Sequence, residues 1–272
     1  MIEIYHVSDL HFGQYDFQTR KAKALLKQMD EQEGISSSSN KYLLVTGDIT
    51  DAGADWEYDL AVECLSPFRG KILVIPGNHD YAHVRGSVYS ESRARDFDDV
   101  LCEKLNVGSK YFDKIPSLRL LPNAENPTVM LAGLNSNSKQ KLCDSLGFLS
   151  CGQIRTLQGY LDDSRYRNLL KIVYLHHIPC SATQSLMMDL IDWEELWGVI
   201  QSRADVVAFG HEDLAGPKTD RPMNPYRISG AKPWILDANN SVNEYASYRI
   251  RINDNNVAVE AIFYPNPPRH IP

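Results

Sequence analysis

KILVIPGNHD, residues 71–80, is an apolar, β-branched-rich run of strand length that stops at Pro76-Gly77 and delivers Asn78, His79 and Asp80, residue types that bind metals and move protons. The pattern recurs along the chain. IEIYHV precedes Ser8-Asp9-Leu10-His11, YLLVT precedes Gly47-Asp48, IVYL precedes His176-His177, and DVVAF precedes Gly210-His211-Glu212-Asp213. In the first half these runs alternate with helix-period segments, which is the βαβ rhythm of an α/β fold. The carboxyl ends of neighbouring strands in such a sheet open on one crevice, so Asp9, His11, Asp48, Asn78, His176 and His211 are predicted to meet.

Strands are predicted at 2–7, 42–46 and 71–75, alternating with helices near 17–32, 54–65 and 91–105. The second half reads as strands near 118–121, 128–134, 171–175 and 205–209 with helices near 151–162 and 189–202. A hairpin of 245–252 with 257–264 turns at Asp254-Asn255-Asn256. Gly34-Ile35 and the polar run Ser36 to Asn40 read as a solvated surface loop. Asn135–Ser150 and His211–Pro233 are long connections, either functional walls or surface excursions. The helix at 189–202 carries Trp193, Leu196 and Trp197, an apolar face that covers the core or a second copy, the core being the commoner outcome. With 272 residues and 43% hydrophobic content, the chain is expected to form a single domain, 1–272, with the hairpin at 245–264 included.

Cys64, Cys102, Cys143, Cys151 and Cys180 are odd in number and contain no C-x-x-C pair, which argues against a disulfide framework and against a thiolate zinc site. A reducing compartment fits. The sequence shows neither a signal-peptide pattern nor the ~18 uncharged apolar residues of a membrane span, so a soluble, cytoplasmic protein with no membrane partner is expected. A formal charge of −7 gives no general attraction to extended nucleic acid. A small phosphorylated substrate, such as a nucleotide, is easier to accommodate.

Taken singly, each polar strand end is also an ordinary turn. Together they supply the mixed nitrogen and oxygen donor set of a metal site. Two divalent ions about 3.5–4 Å apart repel, so a shared carboxylate and a bridging hydroxide are needed to hold them, while neutral imidazole and amide ligands keep the site from becoming over-anionic. Such a pair attracts phosphate and lowers the pKa of bound water toward ~7.

The ordered set D-x-H, G-D, G-N-H-D, H and G-H, spread over residues 9–213, resembles the pattern of the calcineurin-like metallophosphoesterase superfamily. The resemblance implies a four-layer α/β sandwich of two mixed β-sheets flanked by helices, and two divalent ions bridged by an aspartate. Carried over residue by residue, Asp9, His11 and Asp48 would hold the first ion, and Asp48, Asn78, His176 and His211 the second. His79 would sit over the phosphate and protonate the leaving alkoxide. In the similar Ser/Thr phosphatases an aspartate three residues after the bridging one orients this histidine, and Asp51 has that spacing. A helix N-cap is the other reading of Asp51. Asp80 reads as turn chemistry.

The family's last motif ends in a second histidine where this chain has Asp213, which would complete the first metal site and favour Mn or Fe over Zn; the other reading is that the first ion is weakly held. His177 would neighbour the substrate. Ala52 stands where the Ser/Thr phosphatases carry a phosphate-gripping arginine, which disfavours a protein phosphatase. HVSDLHFG and GDITDAG look most like the bacterial class III cyclic-nucleotide phosphodiesterase branch, implying a hydrolase of small phosphodiesters. His83 and Arg85 would then contact the diester, an exposed polar loop being the other reading. Two alternatives stand beside it. One is a Mn-dependent nuclease, disfavoured by the net charge and the lack of Lys/Arg-rich stretches. The other is a degenerate scaffold without turnover, disfavoured because a scaffold has no need of His79.

Overall fold

Parallel strands buried on both faces read as mainly apolar runs, and the three that open the chain do so, interrupted by Glu3 and His6 in the first and bounded by Lys41 and Thr46 in the second. They are β1 (Ile2–Val7), β2 (Lys41–Thr46) and β3 (Ile72–Ile75), nearly every residue of which is buried. The computed structural model describes residues 1–82, 89–113, 116–137, 146–179, 190–211, 225, 227–228, 230–239, 241–253 and 256–265. Between the strands lie helices α1 (Asp16–Glu33) and α2 (Asp55–Leu65). α1 ends at Gly34, whose φ of 62° lets its N–H return to the Asp30 carbonyl; Ile35, expected in a solvated loop, is instead fully buried.

After β3 comes α3 (Glu91–Asp96), which passes into a π-helical stretch, Phe97–Cys102. The second half adds β4 (Ser117–Leu121), β5 (Val129–Gly133), α4 (Cys151–Asp162), β6 (Leu170–Tyr174), α5 (Trp193–Ile200), β7 (Val206–Phe209), β8 (Trp234–Asp237) and α6 (Ser241–Glu244). The hairpin β9 (Ala246–Asn253) and β10 (Asn256–Phe263) closes the described chain. β8 and α6 were not foreseen from the sequence. α5 begins later than expected, because the Asp192 carboxylate accepts the amides of Leu149 and Ser150 and holds that residue outside the helix.

Two five-stranded sheets result, in the orders β10-β9-β1-β2-β3 and β4-β5-β6-β7-β8. Each is mixed: β1, β2 and β3 run parallel with β9 antiparallel to β1, and β5 to β8 run parallel with β4 antiparallel to β5. The pleat sorts β5 between two cores. Val129 and Leu131 join the apolar cluster that also holds Ile4, Val45 and Val74 of the first sheet and Leu25 and Tyr58 of its helices. Met130 and Ala132 face the other way, into a cluster with Ile154 and Leu157 of α4 and Leu196 and Ile200 of α5. The order of layers is therefore helix, sheet, sheet, helix, and α5 spends its apolar face on this core.

Register decides where the site can form. Val7 lies opposite Val45 and Thr46 opposite Ile75, so β1, β2 and β3 end side by side. Tyr174 lies opposite both Gly133 and Ala208 in the second sheet. The segments after these strands share one end of the sandwich.

Candidate metal centre

The backbone at the strand ends is held in a conformation most residues avoid. Asp9, His11, Asp48 and His211 have φ of 56°, 45°, 48° and 76°, four of the seven such non-glycine residues among those described. Each costs on the order of 1–3 kcal/mol and persists only where surroundings over-determine it. Here the strand ends are laced together: Asp9 N–H donates to the Gly47 carbonyl, His11 N–H to the Asp48 carbonyl, and Gly210 N–H to the His176 carbonyl, at 3.1, 2.9 and 3.1 Å.

The approach is so close that the motif glycines have no room for a side chain. A Cβ on Gly47 would come within 2.5 Å of His176 Nδ1, and one on Gly77 would strike the Asp48 carboxylate and amide. One on Gly210 would strike the Ser8 hydroxyl.

All six expected donors converge. His11 Nε2 lies 3.8 Å from both Asp9 Oδ1 and Asp48 Oδ2. His176 Nε2 lies 3.3 Å from Asp48 Oδ1, 3.2 Å from Asn78 Oδ1 and 3.1 Å from His211 Nδ1. The two oxygens of Asp48 thus face two different donor groups. Donor atoms held by one ion at about 2.0–2.2 Å stand roughly 3–4 Å apart, the spacing found in both groups. His176 Nδ1–H donates to the Thr46 carbonyl at 2.8 Å, so Nε2 is the nitrogen turned toward the other donors; a main-chain carbonyl is the usual second partner of a metal-ligating imidazole.

Charge points the same way. Burial is the largest influence on Asp9 and lifts its carboxyl to about 7, with the Asp48 charge adding to it and His176 opposing. Burial also acts to raise Asp48, but His176, His79 and His11 outweigh it and hold that carboxyl well below its usual range. For His176, burial acts to lower the imidazole, yet Asp48 and Asp9 carry it to about 9. Two buried carboxylates therefore call for positive charge between them, and the donor set fits a divalent cation in that place.

His79 is anchored twice: its amide donates to Asp48 Oδ1 at 3.0 Å, and ring Nδ1–H donates to the Asp51 main-chain carbonyl at 2.7 Å. The Asp51 carboxylate stands farther off, 3.7 Å from His79 Nδ1 and 3.7 Å from His11 Nδ1. Asp51 is not the cap of α2. Ala54 holds that position, and Glu57 reaches back to the amides of Ala52 and Ala54 at 2.8 and 3.0 Å. His79 is drawn upward overall, since burial lowers it but the Asp48 charge and the Asp51 carbonyl prevail.

Two assignments change. Asp80, read as turn chemistry, is fully buried and accepts from the Gly77, Ile49 and Thr50 amides and the Thr50 hydroxyl at 2.9, 3.2, 2.8 and 2.8 Å, fastening two motif loops together. His177, expected at the substrate, is instead 0% exposed, with Nδ1 at 2.7 Å from Ser136 Oγ and its ring 4.4 Å from that of His211. His83, Arg85 and Asp213 lie outside the described residues. The sequence reading missed Asn137, whose carboxamide donates to the Pro76 and Gly77 carbonyls at 3.2 and 3.0 Å.

Among the described residues no helix is long and apolar enough to cross a membrane. A protein of Vesicomyosocius okutanii named a probable cyclic nucleotide phosphodiesterase is 25% identical over 185 residues, 66% of each chain. A probable glycerophosphodiester phosphodiesterase of Arcobacter nitrofigilis is 29% identical over 137 residues, 50% of this chain and 41% of that one. The chain thus matches less than two thirds of these relatives' own lengths. A crystal structure of a dimetal phosphatase from Danio rerio superposes with a TM-score of 0.66 over 96% of this chain and 95% of that one, at 13% identity, a likeness of fold. The family model for calcineurin-like phosphoesterases matches residues 2–213, most of the chain, and the protein belongs to that family.

Proposed function

We propose that the chain is a dinuclear-metal phosphoesterase that hydrolyses a small phosphodiester, a cyclic nucleotide or a related compound. The observation that carries this reading is the division of Asp48, with Oδ2 turned to His11 and Oδ1 to His176. Asp9, His11 and Asp48 would hold one ion and Asp48, Asn78, His176 and His211 the other, with Mn or Fe preferred and Zn also compatible. Bound there, the ions supply positive charge for the phosphate and a hydroxide nucleophile at neutral pH.

The chain's own residues do the rest. Thr46 fixes the proton of His176 on Nδ1, and Asp80 and the strand-end hydrogen bonds keep the donors from drifting apart. With Nδ1–H of His79 committed to the Asp51 carbonyl, Nε2 is the nitrogen available to the substrate. It donates a proton to the leaving oxygen as the P–O bond breaks. Relatives named as probable phosphodiesterases support a diester, and the net charge of −7 supports a small substrate over long nucleic acid.

Hydrolysis of bis(p-nitrophenyl) phosphate against p-nitrophenyl phosphate, with Mn²⁺ added, tests this. The diester is expected to be the better substrate, and His79→Ala to lower kcat by about 10²–10⁴-fold. No turnover with Mn²⁺, Fe²⁺ or Zn²⁺ would promote the scaffold reading, and efficient cutting of single-stranded DNA the nuclease reading.

A further inference from the structure

We infer that Asn137 is a positioning residue for the second donor group, acting through Gly77; this rests on the two-metal reading above. Asn137 follows β5 on the second sheet, yet its Nδ2 donates to the Pro76 and Gly77 carbonyls of the loop that leaves β3 on the first sheet. Gly77 is thereby held through both its peptide groups, its carbonyl by Asn137 and its N–H by Asp80 at 2.9 Å. What that peptide fixes is the next residue, Asn78, whose Oδ1 lies 3.2 Å from His176 Nε2, and beyond it the His79 amide on Asp48.

The carboxamide is committed to this task. It is 2% exposed, and its Oδ1 is buried with no hydrogen-bond partner among the described residues. Turning the amide over would set that oxygen against two carbonyl oxygens, so the orientation follows from its two acceptors. Most buried polar side-chain atoms in folded proteins find a partner, so this oxygen sets Asn137 apart. Asn137 also pairs in an isolated bridge with Gly147, and neighbouring Ser136 holds His177, so the segment is anchored beside the second sheet while the Asn137 carboxamide reaches the loop of the first.

The test measures Mn²⁺ binding by calorimetry in wild type, Asn137→Asp and Asn137→Leu, beside thermal melts of the metal-free proteins. The aspartate keeps the shape and removes the donor; the leucine removes the unpartnered oxygen too and serves if the aspartate variant does not fold. Loss of this second support is expected to weaken the affinity of one of two Mn²⁺ sites by about 10–100-fold. Wild-type affinity at both sites in a folded variant, whatever its melting temperature, would overturn the assignment. Failure of wild type itself to bind two ions would instead overturn the two-metal reading.

Discussion

His6 gives the most quantitative handle on how the strand ends are held. It is fully buried on β1, three residues before Asp9, with Nε2 at 2.8 Å from Thr46 Oγ1 and its ring stacked on Tyr248. Burial alone lowers its imidazole from 6.5 to about 3, so the folded protein keeps His6 neutral where the unfolded chain would protonate it. The unfolded state binds the extra proton below pH 6.5, so stability is complete above that pH and falls with pH down to about 3. Between about pH 7.5 and 4.5 this one group removes about 3 kcal/mol. Neighbouring carboxylates titrate in the same interval, so the informative quantity is a double difference. Urea unfolding of the metal-free wild type and His6→Gln at both pH values isolates it, since glutamine keeps a polar atom near Thr46 and cannot titrate. The variant is expected to lose about 3 kcal/mol less than wild type on acidification. Equal losses would refute the claim that His6 is buried uncharged.

Gly210→Ala should press a methyl group onto Ser8 and Asp9 Oδ2 and lower Mn²⁺ affinity by about 10–100-fold, read by calorimetry. Asp80→Ala leaves the buried amides of Gly77, Ile49 and Thr50 without their acceptor, so a loss of at least about 2 kcal/mol is expected in denaturant titrations. Glu57→Ala removes the carboxylate that caps α2 through Ala52 and Ala54, and should cost about 1 kcal/mol in the same assay without changing Mn²⁺ affinity.

The convergence of these side chains was legible because parallel strands ending at one side of a sheet leave their polar residues at fixed places, and Asp9, Asp48, Asn78, His176 and His211 each stand one to three residues beyond an apolar run. The second half of the fold was legible except for the four-residue α6 and for β8, whose Trp234–Asp237 run is short and emerges from a Pro- and Gly-rich connection that masks its strand pattern. Asp80 looked like a turn residue because its partners Ile49 and Thr50 lie some thirty positions away. Asn137 gave no signal for the same reason, its acceptors being about sixty residues distant. His176 stood out in sequence because it directly follows its strand, but that the next ring, His177, meets Ser136 and lies against His211 only the fold shows. Spacing along a chain reports which residues end a strand, and not what a buried side chain meets across the gap between sheets.

Anomalous diffraction from crystals of the Mn²⁺-loaded protein bears most directly on the two-ion centre. Two peaks about 3.5–4 Å apart on opposite oxygens of Asp48 are expected. A single peak, or two that do not share Asp48, would contradict it.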